Sequence, residues 1–103
     1  MNRERAMQLL TQSKPELIAR YGITRLALFG SVARGEATDE SDVDVVVKLD
    51  ADIVGRGLDY FSSLALLKEK LEAIVGKPVD IVSEPIQKPR LAKEIDRDRE
   101  FAF

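Results

Sequence analysis

Two aspartates one residue apart, Asp42 and Asp44, stand at the entrance to a β-branched run, and Gly30-Ser31 precedes them by ten intervening residues. In a strand, a period of two puts Asp42 and Asp44 on one face and turns Val43 and Val45 to the other. Carboxylates this close raise each other's proton affinity, a cost that a hard divalent cation removes. Oxygen ligation by a few carboxylates, completed by water and substrate phosphates, is how proteins usually hold Mg²⁺, so the pair points to a Mg²⁺-nucleotide ligand. Gly30, without a Cβ, lets the backbone at a strand end approach a phosphate. Ser31 offers a hydroxyl and an amide at the start of a short helix, and Arg34, about one turn on, adds a positive charge. Asp80, in Val79-Asp80-Ile81-Val82, alternates with apolar neighbours and is a candidate third carboxylate.

Each of these residues also has a plainer reading. An acidic pair at a strand start is often a solvated edge, a lone Gly30 a turn glycine, and Ser31 a helix N-cap. Asp80 equally suits the exposed face of an edge strand, and Arg34 a surface pairing with Glu36 or Asp39. The combined spacing of Gly-Ser and Asp-x-Asp favours the chemical reading. Absences narrow it further. With no Cys and no His, the chain has no thiolate nucleophile, imidazole base or ordinary zinc site, so its chemistry must run on carboxylates, hydroxyls, Lys, Arg or an oxygen-bound metal.

Positioning these groups falls to a chain of 103 residues, 45% hydrophobic and 33% charged, a balance expected of one small domain over 1–103 with no separate substrate domain. The formal charge of -2 provides no positive field for holding nucleic acid, so direct nucleic-acid binding is not expected. The first residues lead into no long apolar run, which predicts no signal peptide or membrane span and a cytoplasmic location.

Ala6, Leu9 and Leu10 predict a helix ending near Gln12. Ser13 and Glu16 match a capping box for a second helix, closed by Gly22. Residues 23–29 and 43–49 read as strands flanking a polar loop, and 51–58, with Gly55-Arg56-Gly57, as a flexible connection. Residues 59–75 form the longest predicted helix, with Phe61, Leu64, Leu67 and Leu71 as its core stripe. A short strand over 79–82 and a final helix around Leu91 and Ile95 complete the series. The tail over 88–99 reads as a solvated face, while Phe101 and Phe103 either dock on the core or form a protein contact. Strands alternating with helices predict an α/β or α+β layer structure with a small sheet of three or four strands.

The Gly30-Ser31 and Asp42-Val43-Asp44 spacing, with a later Asp on a neighbouring strand, resembles the signature of the polymerase-β-type nucleotidyltransferase superfamily. Ala33-Arg34-Gly35, Ser41 and the small size resemble its shortest branch, the minimal nucleotidyltransferases (MNT) encoded beside HEPN-domain ribonucleases. The likeness covers 21–49 well, 59–82 loosely and the ends poorly. It implies a polymerase-β-like core, a mixed sheet flanked by helices, in which Asp42 and Asp44 bind two Mg²⁺ ions and Asp80 shares one of them. It implies that Gly30 and Ser31 hold the β and γ phosphates of ATP, with Arg34 and Ser41 also at the nucleotide. The implied activity is that of an antitoxin transferring AMP to a tyrosine of a partner HEPN toxin. Two other functions remain: an antitoxin that neutralises by binding alone, and the catalytic subunit of an antibiotic-modifying nucleotidyltransferase.

Overall fold

Helical spacing of Ala6 with Leu10, and Leu17 ahead of a left-handed Gly22 (φ 71°), folds the first residues into α1 (Arg3–Gln12) and α2 (Lys14–Tyr21). The computed structural model describes residues 1–55 and 57–103; Arg56, in the expected Gly55-Arg56-Gly57 connection, lies outside the described residues. Ser13 departs from the capping box. Its N–H closes α1 on the carbonyls of Leu9 and Leu10, and its φ and ψ of -91° and 1° leave the extended region an N-cap uses, so its hydroxyl caps nothing. Glu16 instead meets Lys70 at 3.0 Å, tying α2 to the longest helix.

Beyond Gly22 the chain runs through β1 (Ile23–Phe29), the single-turn α3 (Gly30–Arg34), β2 (Val43–Leu49), α4 (Ala51–Val54), α5 (Leu58–Val75), β3 (Val79–Ser83), α6 (Pro89–Asp98) and β4 (Glu100–Phe101). Both long strands match their predicted limits. The sheet order is β3-β2-β1-β4, with β2 and β3 parallel and the other pairs antiparallel. A parallel step needs a crossover, and α4 and α5 supply it. This is the expected α+β class with a four-stranded mixed sheet.

Strand alternation divides the core in two. Leu26, Leu28, Val43, Val45, Val47 and Val79 pack under α1, α2 and α5 through Ala6, Leu10, Leu17, Leu67 and Leu71. Ala27, Phe29 and Val46 turn to the other face and meet Ile95 of α6. Asp44, two residues before Val46, and its neighbour Asp80, two before Val82, therefore belong to the α6 face.

Three further expectations change. The 51–58 connection contains a helical turn, because the Asp50 carboxylate accepts from the Asp52 amide at 2.9 Å and caps α4. The α5 stripe is core only at its C-terminal end: Leu67, Leu71 and Val75 are buried, Leu64 is half-buried, and Phe61 is 66% exposed. The tail is not a solvated face throughout, since it buries Ile95 and Asp98. Its last residues dock: Phe101 joins β1 through β4, with the guanidinium groups of Arg25 and Arg99 over its ring, and Phe103 packs on the larger core. Among the described residues, no helix is long and apolar enough to cross a membrane.

Candidate active site

The site forms where β1 ends and β2 begins. Phe29, the last residue of β1, pairs with Asp44, and Asp44 pairs in turn with Asp80 across the parallel β2–β3 ladder. Topology thus brings together two carboxylates 36 positions apart in sequence. Asp42 lies just ahead of β2, where the 38–41 turn hands the chain to the strand. The Ser41 hydroxyl accepts from the Thr38 amide at 2.9 Å, and Val43 N–H donates to the Pro78 carbonyl at 2.9 Å. Lys77 Nζ holds the Asp39 carbonyl at 2.7 Å, so the loop carrying Asp42 is fastened to the entrance of β3. Ser41, expected at the nucleotide, is occupied here in shaping the turn that delivers Asp42.

Gly30 follows Phe29 directly with φ at 71°, a left-handed conformation that glycine adopts freely. A Cβ at this position would collide with Asp44 Oδ2 and lie 3.1 Å from its Cγ, so the glycine makes room for the carboxylate beside it. Ser31, the second residue of α3, is half-buried, with its carbonyl held by the Glu36 amide at 2.9 Å. Gly30, Ser31, Asp42, Asp44 and Asp80 therefore gather around one end of the β1–β2–β3 sheet.

Burial raises the proton affinity of the half-buried Asp44 above that of an ordinary aspartate. The negative charges of Asp80 and then Asp42 push it further the same way, and Arg34 partly opposes them. Asp44 thus feels both of the other carboxylates, with Arg34 in the same field. Among the described residues, no group of three or more acidic side chains is drawn together closely enough to hold a metal ion by itself. Mg²⁺ takes one or two carboxylates and completes its shell with water and substrate phosphates. The donors are hard oxygens, their mutual repulsion is of the kind a divalent cation offsets, and the Gly30 cradle leaves Asp44 unobstructed. The residues fit the ion.

Arg34 has a partner that the sequence reading missed. Its Nε donates to Glu36 at 3.0 Å, as one reading anticipated, but its Nη1 donates to Asp98 Oδ2 at 2.7 Å, and Asp98 is buried with 8% of its surface exposed. Hydrogen bonds from Arg97 and Arg34 outweigh burial and hold the Asp98 carboxyl below the ordinary aspartate range. A signal was present in the sequence: Leu91, Ile95 and Asp98 repeat at helical spacing, which puts the carboxylate on the buried face.

A carboxyl with lowered proton affinity stabilises the fold above the ordinary aspartate range, and that contribution is lost as the pH falls through its folded value. Asp98→Asn is therefore expected to melt several degrees below the parent chain at neutral pH. Thermal melts across the acid range should show the gap closing as the pH drops; a gap independent of pH would mean that the ion pair is not its source.

A glycine at a strand end beside clustered carboxylates on an α+β sheet is the arrangement the sequence leads one to expect of a nucleotidyltransferase. The chain belongs to the nucleotidyltransferase-domain family, whose model matches residues 10–102. It is 37% identical over 95 residues to the protein adenylyltransferase MntA of Thermococcus cleftensis, covering 92% of this chain and 90% of that one. It is 38% identical over 92 residues to a Methanocaldococcus jannaschii protein provisionally named a protein adenylyltransferase, covering 88% of each. A solved structure provisionally described as a minimal nucleotidyltransferase superposes with a TM-score of 0.72 at 39% identity, over 97% of this chain and 95% of that one. The fold is also shared with the MNT antitoxin solved in complex with a tri-AMPylated Shewanella oneidensis HEPN toxin, with a TM-score of 0.59 at 17% identity, over 94% of this chain and 71% of that one.

Proposed function

We propose that this chain is an Mg²⁺-dependent antitoxin that transfers AMP from ATP to a tyrosine hydroxyl of a partner HEPN-domain ribonuclease and so silences it. The observation that carries the reading is the Asp44–Asp80 register beside Gly30, with Asp42 in the same field. The names of the relatives, protein adenylyltransferases, support protein as the acceptor. The tri-AMPylated toxin of the MNT complex and a toxin–antitoxin structure with AMP-PNP, which has the same fold, support the partner and the nucleotide. ATP and Mg²⁺ are both plentiful in the cytoplasm, where we place the reaction.

Asp42, Asp44 and Asp80 would hold the metal, and Gly30 and Ser31 would receive the β and γ phosphates. Arg34, steadied by Asp98, contributes positive charge at the same end, and Ser41 sets the turn nearest the nucleotide. Bound there, Mg²⁺ would supply charge neutralisation at the α-phosphate and the leaving pyrophosphate and would lower the pKa of the incoming hydroxyl. The tyrosine oxygen forms a bond to the α-phosphorus, the bond from that phosphorus to the bridging oxygen breaks, and pyrophosphate departs. The phenolic proton passes to solvent at the Asp80 end, which is exposed. Catalysis here is positioning and screening rather than covalent chemistry by the protein.

Incubating the purified chain with its HEPN partner, ATP and Mg²⁺, then weighing the partner intact, tests this directly. Added mass in whole AMP units that EDTA abolishes is the expected result. An inhibited toxin of unchanged mass would leave neutralisation by binding alone, and transfer to an aminoglycoside in place of the protein would point to an antibiotic-modifying subunit.

A further inference from the structure

The N-terminal half of α5 carries an apolar end that the fold does not cover. Leu58 is 84% exposed and Phe61 66%, although Leu67, Leu71 and Val75 further along the same helix are buried. Beside that end, between α5 and the outer side of β3, runs an open groove of about 330 Å³ lined by Phe61, Leu64, Ala65, Lys68, Asp80 and Ile81. β3 is an end strand of the sheet, so the groove wraps a free edge: Ile81 faces it from the α5 side and Asp80 from the other.

We propose that this groove is the acceptor subsite, taking the ring of the tyrosine that receives AMP with the phenolic oxygen turned toward Asp80. The inference rests on the reading of the chain as a protein-modifying transferase, and adds where the acceptor sits and why it is a phenol. Continuity is the first argument. Asp80 lines the groove and is also the register partner of Asp44, so a group lying in the groove ends at the carboxylates that hold the nucleotide.

Chemical match is the second argument. Four of the lining residues are apolar and two are charged, a surface suited to a group with an apolar body and one polar tip. A phenol has that form. The short side chain of serine or threonine would leave the wall formed by Phe61 and Ile81 wet, and a polyhydroxylated or polyamine ligand would find only Lys68 and Asp80 to satisfy its many polar groups. Lys68 adds a positive charge to the lining of the same groove.

Phe61→Ser and Ala65→Trp test the assignment from two directions, one stripping the wall and the other filling the groove. Both side chains are on the exposed side of α5, so neither change removes core packing. AMP transfer followed by intact mass over a range of partner concentrations is expected to fall at least about tenfold in kcat/KM in both variants, mainly through KM. Phe61→Leu should retain most of it. Calorimetric affinity for Mg²⁺-ATP should stay within about twofold of the parent chain, because the groove begins on the acceptor side of Asp80. Fragmentation of the product should place AMP on tyrosine. Parental kinetics in both variants, or AMP on serine or threonine, would overturn the groove while leaving the transferase standing; no transfer by the parent chain would bring down both.

Discussion

Asp44→Asn is expected to lower AMP transfer at least about a hundredfold while the protein stays folded. Asp44 is the middle member of the carboxylate trio, paired in register with Asp80, two residues from Asp42, and in contact range of the Gly30 turn. No neighbour can take its place, because Val43 and Val45 turn into the core. Without metal the same change should stabilise the fold. Burial and two like charges raise the proton affinity of Asp44 in the folded chain, so its contribution to stability is fully present below the ordinary aspartate range and is lost as the pH rises through the raised folded value. The Asn variant has no such loss. In EDTA, the parent chain should therefore melt below Asp44→Asn at neutral pH, with the difference shrinking toward acid pH. Mg²⁺-ATP should reverse the order by stabilising only the chain that can hold it. Melting curves in both conditions check this; an Asn variant that stays less stable than the parent in EDTA at every pH would contradict the account of Asp44 as a repelled carboxylate.

The sequence revealed the site's components more fully than their arrangement. Strands 23–29 and 43–49 were readable because β-branched and apolar runs there are bounded by Gly22, Gly30 and the acidic loop. The pairing of Asp44 with Asp80 was not, since alternation assigns a residue to a face but not a strand to its neighbour; the parallel crossover through α5 decides that. Asp98 was hidden by its surroundings. Alternating charges make the tail look solvated, and only the Leu91, Ile95 and Asp98 spacing shows that one face turns inward. Phe61 failed in the opposite sense, because helical periodicity gives a direction around the axis and not the point at which the sheet stops covering the helix. β3 ends the sheet there, and the apolar stripe outlasts its partner. The glycines at 55 and 57 likewise drew the reading toward a loop, although Asp50 two residues before Asp52 already offered a cap for α4.

Gly30→Ala is expected to cost activity on the scale of Asp44→Asn, and a matched control separates its two effects. The φ of 71° makes any L side chain at position 30 costly, by about 1–2 kcal/mol. Gly35, at the other end of α3 with φ 74°, carries the same backbone penalty but has open space where a Cβ would go. Gly30→Ala and Gly35→Ala should therefore both lower the melting temperature, while only the first drives a methyl group into Asp44 Oδ2. Relief requires Asp44 to rotate away or the turn after β1 to shift, and either displaces the carboxylate proposed to hold metal from the backbone proposed to receive phosphate. A displacement of about 1 Å in a site that works by positioning is enough to cost about a hundredfold. Transfer by Gly35→Ala should remain close to parental at a temperature where both variants are folded, and transfer by Gly30→Ala should be nearly abolished. Equal activity in the two variants would mean that the close approach of Gly30 to Asp44 has no part in the reaction.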